Sequence, residues 1–243
     1  MPKIISIANI KGGSGKSTTA IHLALALRQF GSVLAVDLDC QADLTEFFFP
    51  GMEPEFFDEA NTYTLLRSQT QLKESIKTAH NLDVLPAVLE LSELSFQAVR
   101  NLSIIHRLKT VLEKSKYDYI VIDTPGSFSV ELTTSFLAAD TVVIPVTPIP
   151  WSIRAVSLVL KGIEEAKSSG SSRVKKILVL PTSFGKSQRD NKLLEKFKSI
   201  SWITLLSAIP KNNSIQERTG QSLALQEGSE GWEAFQRLAK EIK

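Results

Sequence analysis

The chain alternates short, almost wholly apolar runs with longer stretches in which apolar residues recur every three to four positions. The apolar runs are KIISIAN (3–9), VLAVDLD (33–39), LDVLPA (82–87), YDYIVIDT (117–124), TVVIPVT (141–147), KKILVLPT (175–182) and WITLLSAIP (202–210). Several are apolar at consecutive positions, the mark of strands covered on both faces, as in parallel sheets. Helical spacing between the runs predicts helices over 16–29, 91–115, 129–139, 151–168, 187–199 and 230–242, the first capped near Gly31. Strand–helix alternation of this kind predicts one α/β domain over 1–243, a doubly wound, mostly parallel sheet with helices on both faces. The stretch KSSGSSR at 167–173 reads as a surface loop, too short for a domain boundary.

Composition narrows the class without naming a ligand. Hydrophobic residues make up 43% and charged residues 22% of the 243, an ordinary globular balance. Cys40 is the only cysteine, which excludes a disulfide framework or an iron–sulfur site within one subunit. The N-terminal MPKIISIANI lacks the basic and apolar regions of a signal peptide. No apolar run approaches the roughly 20 residues of a membrane helix, so a cytoplasmic protein is expected, with no membrane partner.

The first strand runs into ANIKGGSGKSTTA (8–20), and the first helix follows directly. Strand, glycine-rich loop and helix in that order are the setting of a phosphate-binding loop. Backbone N–H groups and the helix dipole then converge on an anion. Gly12, Gly13, Ser14, Gly15 and Thr18 belong to that cradle. Lys16 would reach the terminal phosphates, and Ser17 would ligate Mg²⁺. The usual pattern has glycine at position 10; here Ile10 stands there, and a second lysine, Lys11, enters the loop. The strand at 117–124 ends in Asp123, the form of an acid beside the metal, and the N–H of Gly126 follows within reach of a terminal phosphate. The strand at 33–39 ends in Asp37 and Asp39, which alternation points to one side. Next to a triphosphate such residues bind the metal or orient the attacking water. Their other reading is capping of a following helix.

The K-G-G-x-G-K-[ST] loop, the D-x-D segment and the strand-end Asp123 resemble the ParA/MinD superfamily of deviant-Walker P-loop ATPases. The likeness continues through 62–96, 138–156 and 208–223, and residues 124–148 look most like the small ParF-type partition ATPases, which lack a separate N-terminal DNA-binding domain. The resemblance implies a Mg²⁺-dependent ATPase that partitions plasmids or chromosomes. In that family ATP lies between two subunits of a homodimer, and the lysine matched by Lys11 crosses to the partner's nucleotide. A cation presented to phosphates in a closed, water-poor site acts strongly. Asp39 matches the residue that orients water. Pro210 and Asn212 fall in the segment lying along adenine. The ATP-bound dimer would coat nonspecific duplex DNA, associate with the nucleoid, and be released when a ParB-like centromere-binding partner stimulates hydrolysis. No arginine finger is evident in cis, so slow intrinsic turnover is expected.

Three departures from the family pattern stand out. Cys40 replaces the usual proline after the second Asp, Thr124-Pro125-Gly126 replaces a two-proline pattern, and the acidic LQEGSEGWEAF (225–235) replaces basic residues before the final helix. The basic residues sit elsewhere. Residues 171–198 hold Arg173, Lys175, Lys176, Lys186, Arg189, Lys192, Lys196 and Lys198 against Asp190 and Glu195, a local +6 on a chain of net +2. Lys186, Arg189 and Lys192 are the DNA contacts this suggests. Phe47, Phe48, Phe49, Phe56 and Phe57 read as packing under a loop. His22, His80 and His106 read as surface or capping residues. Two other readings share the fold. A MinD-like positioning ATPase needs an amphipathic anchor, for which FQRLAKEIK is short and polar. A metabolic enzyme needs a substrate pocket.

Overall fold

The computed structural model describes residues 1–185 and 187–243. Nine strands form the sheet: β1 (Lys3–Ile7), β2 (Val33–Asp37), β3 (Lys77–Ala79), β4 (Leu82–Leu85), β5 (Tyr119–Asp123), β6 (Thr141–Val146), β7 (Lys176–Phe184), β8 (Thr204–Leu205) and β9 (Ile209–Pro210). Their order is β3-β4-β2-β5-β1-β6-β7-β8, with β9 also paired to β7; only the β3–β4 pair is antiparallel. The predicted doubly wound, mostly parallel sheet is what forms.

Successive strand residues face opposite sides, and each side has its own core. Ile4, Leu34, Val36, Ile120, Ile122 and Val142 pack in one buried cluster. Ile5, Ile7, Ala35, Val121 and Val143 pack in the other. The first cluster is closed by α3 (Thr62–Leu66), α5 (Leu94–Arg100), α6 (Ser103–Leu112), α7 (Val130–Ala138), α8 (Ser152–Ser168) and α9 (Gln188–Lys198). The second is closed by α1 (Lys16–Leu27), α2 (Asp43–Phe48), α10 (Asn213–Gly220) and α11 (Glu230–Ile242). The short α4 (Leu72–Ser75) precedes β3.

Local chemistry explains where the predicted elements changed. The helix expected over 91–115 is broken: Asn101 is extended (φ −145°), and its Oδ1 accepts from the Ser103 N–H (3.1 Å) and hydroxyl (2.7 Å). A short polar side chain that bonds its own backbone competes with the helix ladder. The strand expected over 202–210 is two short pieces, β8 and β9. Gly31 is not the cap of α1, which ends at Arg28. Its role is close approach: a Cβ there would lie 2.5 Å from Asp118 Oδ2 and 2.8 Å from Asp118 Cβ.

Among the histidines, His22 is buried in the core at 2% exposure, contrary to a surface role. It stacks edge-on against Phe47, and its Nε2 lies 2.8 Å from Thr219 Oγ1. The Thr219 hydroxyl donates to the Ile215 carbonyl (2.6 Å), so it accepts from His22, which puts the ring proton on Nε2. Phe47, Phe48 and Phe57 are buried, as packing requires, while Phe56 stays half exposed beneath the Lys77 ammonium.

Candidate nucleotide site

Parallel strands deliver their C-terminal ends to one edge, where the candidate residues collect. The loop after β1 turns into α1 at Gly15, which caps the helix in the left-handed region (φ 85°), a conformation that costs glycine little. Lys16 is buried at 7% exposure, and among the described residues its Nζ donates only to the Lys11 carbonyl, at 3.4 Å. Burial lowers its pKa, and the charges of Asp123, Asp39 and Asp43 oppose that. The Ser14 hydroxyl is buried without a partner. Gly126, in the loop after β5, closes over Lys16: a Cβ there would sit 3.3 Å from the Lys16 Nζ.

Asp37 and Asp123 are paired across β2 and β5 in register, and both are wholly buried. Asp37 is fully used. Its Oδ2 accepts from the Thr45 N–H (2.9 Å) and hydroxyl (2.7 Å), and its Oδ1 accepts from the Asp39 N–H (3.0 Å). These bonds tie the end of β2 to α2. Burial pushes the Asp37 pKa up to about 7 against the pull of those hydrogen bonds. Asp123 is different. Its Oδ1 takes the Thr124 N–H, and its Oδ2 has no hydrogen-bond partner among the described residues. Burial raises its pKa, the Asp37 charge adds to this, and the Ser17 hydroxyl and Lys16 ammonium lower it. Asp39 is half-buried, and its Oδ1 accepts from the Gln41 N–H at 3.0 Å.

An unpartnered buried carboxylate oxygen beside a serine hydroxyl is a donor set that suits a hard divalent cation. No cluster of three or more His, Cys, Asp or Glu able to hold a metal exists among the described residues. Mg²⁺ is characteristically bound through one or two carboxylates, with the remaining positions left to substrate phosphates and water.

Beside the loop lies a pocket lined by Gly13, Ser14, Gly15 and Thr18, together with Thr147, Thr182, Pro210, Asn212, Ile215 and Gln216. Pro210 and Asn212 thus share one cavity with the phosphate loop. Asn212 also caps α10, its Oδ1 accepting from the Ser214 N–H at 2.9 Å. Two residues that brace the loop gave no sequence signal. Thr182 Oγ1 lies 3.3 Å from the Ser14 carbonyl, tying the loop to β7, and Asn9 ties it to β6.

The basic segment 171–198 does not form one surface. Arg173 is engaged internally, with Nη2 2.6 Å from Asp140 Oδ1 and Nη1 3.0 Å from Glu113 Oε1. Lys198 pairs with Glu195 at 2.8 Å. Lys175 and Lys176 stand at the start of β7, at the far end from the loop. Arg189, Lys192 and Lys196 share one exposed face of α9 and line a groove with Ile149, Pro150 and Ile153. Lys186 lies outside the described residues.

A glycine-rich loop opening a helix, a buried strand-end acid and an adjoining pocket at the C-terminal edge of a parallel sheet define a P-loop nucleotide-binding protein. A family profile described as "AAA domain" matches residues 2–177. The sporulation initiation inhibitor protein Soj of Bacillus subtilis is 38% identical over 67% of this chain and 65% of its own. The chromosome-partitioning ATPase Soj of Thermus thermophilus is 29% identical over 98% and 94%. A Borrelia burgdorferi B31 plasmid partition protein bound to AMPPNP is 30% identical, with a TM-score of 0.86 over 100% of this chain and 98% of that one. A cobyrinic acid a,c-diamide synthase from Mycobacterium smegmatis, at 24% identity and TM-score 0.86 over 99% and 93%, shares the fold. The chain belongs to the ParA/MinD family of P-loop ATPases.

Proposed function

We propose that this protein is a DNA-partition ATPase that binds ATP with Mg²⁺ at the β1–α1 loop, closes as a dimer around the nucleotide, and carries duplex DNA in that state. The observation that carries the nucleotide reading is the buried charge at the loop, where Lys16 has one long hydrogen bond and Asp123 Oδ2 has none. Such groups cost several kcal/mol unless a ligand satisfies them. The partition reading rests on the relatives named above.

Each residue has a role in this account. The backbone N–H groups of Gly12 through Thr18 donate to phosphate oxygens, and Lys16 neutralises the terminal charge. Ser17 and Asp123, backed by Asp37 across the β2–β5 pair, would hold Mg²⁺, which would supply charge neutralisation on phosphate oxygens. Asp39 orients the water that attacks the terminal phosphorus, and the Gly126 N–H steadies the oxygens it leaves. The base lies by Pro210 and Asn212. Lys11 reaches the nucleotide of the second subunit. Phe128 and Trp151 stand exposed in the loops after β5 and β6, on the same edge, as a surface that a second copy covers.

DNA contact is assigned to Arg189 and Lys192, with Lys186, through phosphate charge rather than base reading. A ParB-like partner accelerates an otherwise slow hydrolysis; a finger supplied in trans is worth ~10³–10⁵ in related hydrolases. The test is duplex DNA binding across a salt series with ATP, with ADP and without nucleotide. Binding confined to ATP, of equal strength on unrelated sequences and weakened by Arg189→Glu with Lys192→Glu, is the expected result. No binding in any state at low salt removes the partition reading and favours a metabolic role for the same site.

A further inference from the structure

The backbone ladder between β1 and β6 ends at the Ala8 N–H, which donates to the Val143 carbonyl at 2.9 Å. Two residues further along β6 is Pro145, still buried in the sheet and facing the start of the phosphate loop. Its carbonyl has no β1 N–H to take. The amide of Asn9 fills that place: Nδ2 donates to the Pro145 carbonyl at 2.7 Å. The other end of the same amide, Oδ1, accepts the N–H of Lys11 at 3.1 Å. Asn9 is 2% exposed, and its bond to Pro145 is buried while that from Lys11 is partly buried.

We propose that Asn9 is the positioning residue for Lys11. One planar amide, locked by a bond at each end, fixes the Lys11 backbone relative to the end of β6. That fixes the direction in which the Lys11 side chain leaves the loop. A lysine that must cross to another subunit gains most from such a brace, because its four-carbon stem is flexible and only its root can be set by the fold. Asparagine suits the place because its side chain donates and accepts at once, whereas Asp offers no donor to Pro145 and Leu neither bond. The inference rests on the intersubunit reading of Lys11 given above.

The test is a double-mutant cycle of Asn9→Ala and Lys11→Ala, read by steady-state ATP hydrolysis and by ADP binding. Lys11→Ala keeps the backbone N–H that Asn9 holds and removes only the side chain it would aim. Asn9→Ala is expected to lower kcat by on the order of 100-fold, as displaced catalytic groups do. In the Lys11→Ala background the same change should cost little, and ADP affinity of Asn9→Ala should stay within a few-fold of the parent. A full additional loss in the double variant, or loss of ADP binding by Asn9→Ala, overturns the inference: Asn9 would then hold the whole loop rather than Lys11. Unchanged hydrolysis by Lys11→Ala alone overturns the reading of Lys11, and this inference falls with it.

Discussion

The two ends of the parallel strands treat charge in opposite ways. At the N-terminal end Arg173, Asp140 and Glu113 satisfy one another. Arg173 is held between Asp140 and Glu113, and Asp140 Oδ2 also takes the Ile4 N–H at 2.9 Å. Asp118, exposed at the same end, accepts from both the N–H and the hydroxyl of Ser32, each at 2.8 Å. At the C-terminal end Lys16 keeps a single 3.4 Å bond, while Asp123 Oδ2 and the Ser14 hydroxyl have none. Both ends are built from the same strands and the same protein interior. One end is finished by folding, and the other is left to be finished by a ligand. An unsatisfied buried group costs roughly 1–3 kcal/mol, more if charged. The C-terminal end is therefore where stability is given up for binding.

The largest way to break this contrast is Lys16→Ala. It removes the cation on which the phosphate site is centred, and nucleotide binding is expected to disappear, measured by titration calorimetry with ATP and ADP.

His22 sharpens the contrast from within the core. Burial, with a smaller contribution from Arg218, lowers its pKa to about 4, below the ordinary 6.5. A base whose folded pKa is depressed contributes full stability above 6.5, and this is lost as pH falls toward 4. The loss amounts to about 3 kcal/mol at the acid end of that window. The stability difference between the parent and His22→Phe, followed by urea unfolding from pH 7 to pH 4, should move by that amount in favour of the variant. A difference that stays flat across the window would contradict the buried, neutral ring.

Arg173→Ala attacks the finished end. It leaves Asp140 and Glu113 without their cation, and a loss of about 2 kcal/mol is expected, since both carboxylates are only partly exposed. ATP affinity should not change, because the residue lies at the far end of the sheet. A drop in DNA affinity at unchanged stability would return Arg173 to the basic surface.

Much of the unfinished end was legible in the sequence, because its chemistry is local. The glycine–lysine loop sits between one strand and one helix, and Asp37, Asp39 and Asp123 each close an apolar run. The finished end was not legible. Arg173 looked like one more basic residue in a basic stretch, and its partners Asp140 and Glu113 lie 33 and 60 residues away. Nothing in local spacing announces such pairs. Asn9 and Thr182 escaped notice for the same reason: each acts on a backbone carbonyl brought close only by the sheet. His22 sits on a helix whose residues are buried nearly all round, so periodicity could not assign it a face. The break at Asn101 was missed because the apolar spacing continues through it, and the side-chain bonds to Ser103 decide the backbone instead.

The most direct test of the unfinished end is the thermal unfolding midpoint of Asp123→Asn against the parent, with and without ATP and Mg²⁺. Replacing this carboxyl, whose charge burial and Asp37 already disfavour, by a neutral amide should leave the nucleotide-free midpoint within about 2–4 °C of the parent's for a chain of this size. The rise that ATP with Mg²⁺ gives the parent should be absent in the variant. A variant destabilised by much more than that without nucleotide, or one stabilised equally by ATP with Mg²⁺, would mean that the fold itself uses Asp123 and that this edge is not waiting for a ligand.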